Sequence, residues 1–221
     1  MTGPWLVDMS VEPEDDRQLL RIVELARSMG FAGLGLELKS CESLGRPSSR
    51  LGVTTYPRVT FEARGKAELS QAISRAPASV IVSVAPVGLE AFRYAARSRR
   101  VDVIRVNPRQ GILPDRSTLN LFRAREGGAL EVPLRPLLYG EWGLRDLREV
   151  VVRAWTRGLR LAIVSGARRA EELWHPSHIV GLLGSLGLPP ALGLLGLTSA
   201  PGFVISRRGL PSPEGVLGQG P

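Results

Sequence analysis

The chain is 221 residues long, 43% hydrophobic and 23% charged, with a formal net charge of +8. Such a length forms one large domain or two small ones and buries roughly 70–75% of the unfolded surface. One cysteine, Cys41, excludes an intramolecular disulfide and a cysteine-only zinc site, so a reduced, cytoplasmic compartment is expected.

Only Lys39 and Lys66 are lysines, which leaves 27 of the 29 cationic side chains as arginine. The planar guanidinium meets phosphate bidentately and stacks on bases, so the excess favours a polyanionic partner such as RNA. A GC-rich coding bias or a thermophilic surface would also replace lysine with arginine. The opening Met-Thr-Gly-Pro-Trp lacks the basic-then-apolar layout of a signal peptide. Residues 179–205 carry no charge and are long enough to span a membrane, but Pro189-Pro190 and Pro201-Gly202 break them into shorter pieces. No membrane association is expected.

In chain order, Trp5–Val11 reads as a first strand and Glu14–Met29 as an amphipathic helix ended by Gly30. Ala32–Leu38 is a second strand, Ser40–Tyr56 a polar loop, Arg58–Ala63 a third strand and Lys66–Arg75 its helix. Ser79–Ala85 is a fourth strand before the helix Gly88–Arg100, and Val101–Val106 a fifth before the loop Asn107–Asp115. A short helix, Thr118–Glu126, is closed by Gly127-Gly128. Leu130–Tyr139 alternates as a sixth strand with Arg135 between two prolines, followed by the helix Leu144–Arg157. Leu161–Val164 is a seventh strand, Pro176–Leu186 a helix and Ala191–Leu197 an eighth strand. A helical turn at Pro201–Arg208 would close a single domain, 1–208, leaving a Gly/Pro-rich tail, 209–221, expected to be disordered.

Seven or eight βα units without a linker predict one α/β domain with a parallel sheet. No glycine-rich phosphate loop follows any strand, and a (β/α)8-like TIM barrel, regular or irregular, fits better than a doubly wound sheet. One face of most strands is wholly apolar; the other carries Asp8, Gly33, Gly35, Glu37, Glu62, Ser83, Glu131 and Arg135. Glu37, Glu62 and Arg135 fall late in their strands, near the C-terminal mouth where barrel sites lie. A buried arginine must be paired, so Arg135 is expected to form ion pairs there with Glu37, Glu62 or Asp8. His175-Pro176-Ser177-His178 is a weak metal signal without a third imidazole or thiolate, and no G-x-S-x-G elbow is present. No metal site and no catalytic centre are expected of the protein.

Val132-Pro133-Leu134-Arg135-Pro136-Leu137-Leu138-Tyr139, then Val152-Arg153-Ala154-Trp155 and Ile163-Val164-Ser165-Gly166-Ala167, resemble the archaeal ribonuclease P protein component 3 family. Its eukaryotic relative is a nuclear ribonuclease P/MRP subunit. Val7-Asp8-Met9-Ser10-Val11 looks like the family's opening, and the helix from Pro176 with Gly184 continues the likeness. The resemblance implies a barrel related to the polymerase-and-histidinol-phosphatase phosphoesterases with the metal ligands lost. It implies partnership with ribonuclease P protein component 2, other ribonuclease P proteins and the RNA subunit. That RNA, with Mg2+, removes the 5′ leader from precursor tRNA, which the protein meets indirectly. The sequence departs from the family at Trp174 and His178, where an arginine and an aspartate are expected.

The resulting expectation is a non-catalytic subunit without a bound cofactor, whose arginines neutralise RNA phosphates. Arg109, Arg168 and Arg169, in loops after strands, are the first candidates, followed by Arg97, Arg99, Arg100 and Arg105. Sparse aromatics favour shape and backbone recognition over base stacking. The alternatives are a metal-dependent phosphoesterase or nuclease on the same barrel, or an assembly protein that never touches RNA.

Overall fold

Short runs of β-branched and leucine residues alternate with helices that are apolar on one face, and this pattern wraps a parallel sheet in a layer of helices. The computed structural model describes residues 5–38, 48–107, 115–124 and 127–213. Strand β1 (Leu6–Val11) leads into helix α1 (Asp16–Ser28), where Asp15 caps the first turn by accepting the Gln18 N–H at 2.7 Å. Leu19, Ile22, Val23 and Ala26 form the buried stripe of α1 at helical spacing. Next come β2 (Phe31–Glu37), β3 (Ser48–Arg50), β4 (Val53–Ala63) and α2 (Lys66–Ser74). After them run β5 (Ile81–Pro86), α3 (Leu89–Arg97), β6 (Val103–Arg105) and α4 (Arg116–Ala124). The C-terminal half contains β7 (Ala129–Pro133), α5 (Arg135–Leu138), α6 (Leu144–Trp155) and β8 (Leu161–Val164). A 3-10 turn (Ala170–Glu172) and helices α7 (Pro176–Ser185), α8 (Ala191–Leu197) and α9 (Ser199–Arg207) complete it.

Seven described strands run parallel in the order β1-β2-β4-β5-β6-β7-β8, and β3 pairs antiparallel with β4. The ends of this sheet meet. Gly166 donates its N–H to the Ser10 carbonyl at 3.0 Å and Glu12 donates to the Ala167 carbonyl at 2.8 Å, closing the mouth half of the β8–β1 seam. Lower down the Asp8 carboxylate accepts the Ser165 N–H at 3.1–3.2 Å, a side chain doing what a strand carbonyl does elsewhere. The fold is an irregular (β/α)8-type TIM barrel, as expected.

Two apolar layers hold it together. The outer one packs β-strand residues such as Leu34, Val59, Val84, Ile104, Leu130 and Ile163 against the helices. The inner one joins Val7, Met9, Tyr56, Ile81, Val103, Ala129, Ala162 and Val164 to Ala200, Val204 and Ile205 of α9. Helix α9 therefore plugs the N-terminal end of the barrel. Gly209–Pro213, the start of the expected disordered tail, joins the plug: the Tyr56 hydroxyl donates to the Pro211 carbonyl at 2.9 Å, and Leu210 packs on the inner layer. The rest of the tail lies outside the described residues.

Three sequence expectations are corrected. The eighth strand expected at Ala191–Leu197 is helix α8, because Gly193 and Gly196, three residues apart, turn one close-packing face toward α7 and β8. A Cβ at Gly196 would lie 2.9 Å from Ile163 Cγ1, so only glycine admits this approach. The sixth strand ends at Pro133 rather than Tyr139. Pro136, with its preset φ, favours the first turn of a helix, and α5 begins at Arg135. The polar loop expected over Ser40–Tyr56 gives way, from Ser48 onward, to the β3–β4 hairpin.

Candidate functional site at the barrel mouth

Along β4 the residues Thr54, Tyr56, Arg58, Thr60 and Glu62 share one face by the period of two, and that face looks into the barrel. The lower positions, Thr54 and Tyr56, are uncharged, and the upper ones carry Arg58 and Glu62. Arg58 is fully buried, and its guanidinium is the centre of the inner network. Its Nη1 donates to Glu131 Oε2 at 2.7 Å and to the Met9 carbonyl, and Nη2 donates to Glu131 Oε1 at 3.2 Å and Thr60 Oγ1 at 3.1 Å. Arg58 Nε lies 2.9 Å from Glu37 Oε2, close enough for an ion pair although its N–H is not aligned for a hydrogen bond. Glu37 in turn accepts the Thr60 hydroxyl at 2.8 Å and the Thr60 backbone N–H. The inward Met9 carbonyl depends on Gly35, where a Cβ would sit 2.0 Å from that oxygen.

Arg105, at the end of β6, extends the network toward the opening. Its Nε donates to Glu131 Oε1, Nη1 to Glu12 Oε1 and Nη2 to Ser10 Oγ, each at 2.7 Å. Arg168 Nη2 reaches Glu12 Oε2 at 3.3 Å. Three carboxylates, those of Glu12, Glu37 and Glu131, thus face three guanidiniums, and the interior is balanced. Burial alone would push Glu131 up, but the guanidiniums of Arg58 and Arg105 outweigh it and hold the carboxyl below the usual range. Glu12 is likewise held low, because Arg105 overcomes its desolvation. Glu37 goes the other way: burial dominates over Arg58, Arg105 and Thr60 and raises it.

Arg135 does not join this network. Its Nε donates to Glu172 Oε2 at 3.0 Å, and its guanidinium lies 4.5 Å from the Tyr139 ring centroid. The Tyr139 hydroxyl donates to the other Glu172 oxygen. The expected pairing with Glu37, Glu62 or Asp8 is overturned because the chain turns into α5 one residue before Arg135 and carries the side chain to the rim. Asp8 has no cationic partner among the described residues; it accepts backbone N–H groups from Ser10 and Ser165. Burial pushes its carboxyl up to about 6. Glu62 lines a mouth cavity of about 170 Å³ together with Glu12, Arg105, Arg135, Arg168 and Trp142. That space holds a few waters and is smaller than a usual organic-ligand pocket.

The candidate RNA contacts separate into two ends. Arg168 and Arg169 sit at the mouth, paired with Glu12 and Glu14, and Arg105 lies inside, held by two glutamates. Arg97, Arg99 and Arg100 lie at the opposite, N-terminal end, around the entry to β6. Arg109 lies outside the described residues. Among the described residues no three His, Cys, Asp or Glu side chains are grouped so as to hold a metal ion. His175 instead caps α7, its Nδ1 accepting the Ser177 N–H at 3.2 Å. Trp174 Nε1 is buried without an acceptor among the described residues.

Arg58 and Glu131 are the partners that a sequence reading separates. Glu62 and Glu131 both fall on the inward face, and two steps of two from Glu62 lead back through Thr60 to Arg58. Starting the strand at Arg58 hides this, since a terminal residue shows no alternation.

Barrel and mouth define an α/β protein whose interior guanidiniums, those of Arg58 and Arg105, are consumed by its own carboxylates. Residues 5–211 match the family described as RNase P subunit p30. Ribonuclease P protein component 3 of Aeropyrum pernix is 32% identical over 194 residues, 83% of this chain and 89% of that protein. Protein GAMETOPHYTE DEFECTIVE 1 of Arabidopsis thaliana is 28% identical over 148 residues, 60% of this chain but 24% of that protein. Among solved structures, a chain of archaeal ribonuclease P with mature tRNA aligns with a TM-score of 0.72 at 14% identity, covering 91% of this chain and 90% of that one. A crystal structure of an uncharacterised protein aligns at a TM-score of 0.58 and 12% identity, over 93% of this chain and 75% of that chain. The chain belongs to the RNase P subunit p30 family.

Proposed function

We propose that the chain is a protein subunit of ribonuclease P that supports the catalytic RNA while that RNA, with Mg2+, removes 5′ leaders from precursor tRNA. The observation that carries this is the match, over 83% of this chain and 89% of that protein, to a relative named ribonuclease P protein component 3. In this reading the chain contributes no reacting group. The carboxylates of Glu12, Glu37 and Glu131, which could serve as general acids, bases or metal ligands, are held by Arg58, Arg105 and Arg168, which favours a structural interior. The chain works in the cytoplasm beside ribonuclease P protein component 2, and meets precursor tRNA through the assembled particle. No described helix is long and apolar enough to cross a membrane.

Phosphoryl transfer by an RNA needs its phosphates brought together against their own repulsion. Arginines that release counterions from the backbone lower that cost. The reading is tested by capturing the tagged chain from its own cells and sequencing the RNA that comes with it. Enrichment of the ribonuclease P RNA is expected; recovery of no RNA above background would contradict the proposal.

A further inference from the structure

We infer that the N-terminal end of the barrel, opposite the mouth, is the face that lies against RNA phosphates. This rests on the reading of the chain as an RNA-supporting subunit. The helices of the barrel run parallel, so their first turns gather at the mouth and their last turns at the other end. Acids follow the first turns: Asp16, Glu68, Glu90 and Asp146 all lie toward the mouth. Arginines follow the last turns, Arg27, Arg97, Arg123 and Arg207 among them. Each such placement is explained by the helix dipole alone. Arg75 and Arg208 cap α2 and α9, where the dipole favours them too; what it does not explain is the pair in the loop after α3, Arg99 and Arg100.

Beside that loop, Arg207 and Arg208 converge on Asp102, at the entry to β6. Arg208 Nε donates to Asp102 Oδ2 at 2.5 Å, and Arg207 Nη1 lies 3.5 Å from Asp102 Oδ1. Arg207 Nη2 donates to the Arg99 carbonyl at 2.5 Å, Arg208 Nη2 to the Arg100 carbonyl at 2.7 Å, and Arg100 Nη2 to the Ala76 carbonyl at 3.2 Å. The two C-terminal arginines therefore pin the loops 75–80 and 98–102 together. Asp102 is buried, and it is the one acid in those loops. Arg75, Arg97 and Arg99 remain exposed, with no carboxylate within ion-pairing distance among the described residues. At the mouth, Arg105, Arg135, Arg168 and Arg169 are spent on Glu12, Glu14, Glu131 and Glu172, and Arg64, Arg116 and Arg145, at the starts of α2, α4 and α6, stand singly on separate elements.

A cationic patch on a pinned scaffold suits the regular phosphates of a structured RNA. The loops 75–80 and 98–102 contain no aromatic residue, so they offer no platform for unstacked bases. The surface should read backbone position and spacing, not sequence.

The test uses the full chain, with the ribonuclease P RNA transcript as probe and a tRNA as a second structured RNA. The salt dependence of affinity is measured for the wild type, for a triple Arg75→Ala/Arg97→Ala/Arg99→Ala variant and for an Arg168→Ala/Arg169→Ala variant. All three side chains of the first set are exposed, and unchanged thermal melting verifies the fold. For the triple variant the slope of log affinity against log salt should fall by about two to three, with roughly ten- to a hundredfold weaker binding near physiological salt. The mouth variant should change little, and an all-lysine version of the triple should recover most of the slope. Loss in the mouth variant with none in the triple would overturn the inference and leave the RNA-subunit reading standing. So would a triple variant that binds RNA normally yet no longer binds a protein partner. Wild-type chain that binds neither RNA would instead overturn the underlying reading of function.

Discussion

Arg58 is a fully buried guanidinium whose neutralisation decides whether the barrel interior is stable. Breaking a buried ion pair by removing one partner leaves the other charge stranded, a cost of about 3–5 kcal/mol. Arg58→Met should therefore lower unfolding stability by about that amount in urea denaturation, because Glu131 and Glu37 would share Arg105 alone. A loss below about 1 kcal/mol would mean the network contributes little. Asp8 makes the opposite kind of claim. Its folded pKa, about 6, lies above the ordinary value of 3.8, so the fold binds this proton more tightly than the unfolded chain. The contribution of Asp8 is therefore fully present below the ordinary value and is lost as pH rises through about 6. Glu131, held low, has the reverse sign and loses its contribution as the solution is acidified. Asp8→Asn isolates the first effect. Between about pH 4 and pH 7 the stability difference should move in favour of the variant by up to ~3 kcal/mol. A constant difference across that range would show that Asp8 does not titrate as its burial demands. The inward placement of Glu37, Glu62 and Glu131 was legible from alternation. The partner was not, since Arg135 falls two residues past a strand end that alternation alone cannot locate.

Helix α8 shows why one element was misread. Ala191–Leu197 alternates leucine with smaller residues as a buried strand would, and a seven-residue apolar run carries no length signal to separate the two. What decides it is tertiary: Gly193 and Gly196 recur at three residues, and each meets a neighbouring backbone at close range. Gly196→Ala should therefore destabilise the fold by ~1–3 kcal/mol, since the added methyl meets Ile163 of β8. A neutral or stabilising outcome, from the helix preference of alanine, would mean that α8 can shift away from β8 at little cost. The strands β1, β2, β5 and β8 were legible because each is a short apolar run next to a helix with its own stripe. Helix α9 was partly legible, but its role as plug was not. A sequence does not show that Val204 and Ile205 face the barrel interior, because the residues they meet come from six different strands.

For the molecule as a whole, the parallel packing of helices turns a local preference into a global charge separation. Helices α1, α3 and α6 each place acid at the start and arginine at the end, and the barrel lines up the starts on one face and the ends on the other. The arginine excess was plain in the composition, yet its location required the topology. The loop after β8, an obvious place to expect ligand contacts in a barrel, holds Arg168 and Arg169, both already committed to carboxylates. The role proposed for the chain is to assist a catalytic RNA. The most direct measurement is precursor tRNA cleavage by ribonuclease P RNA and its other protein subunits, across a Mg2+ titration, with this chain present or omitted. The account predicts that the chain lowers the Mg2+ needed for half-maximal cleavage and that the chain without RNA cleaves nothing. Superimposable Mg2+ curves, or cleavage by the chain alone, would contradict it.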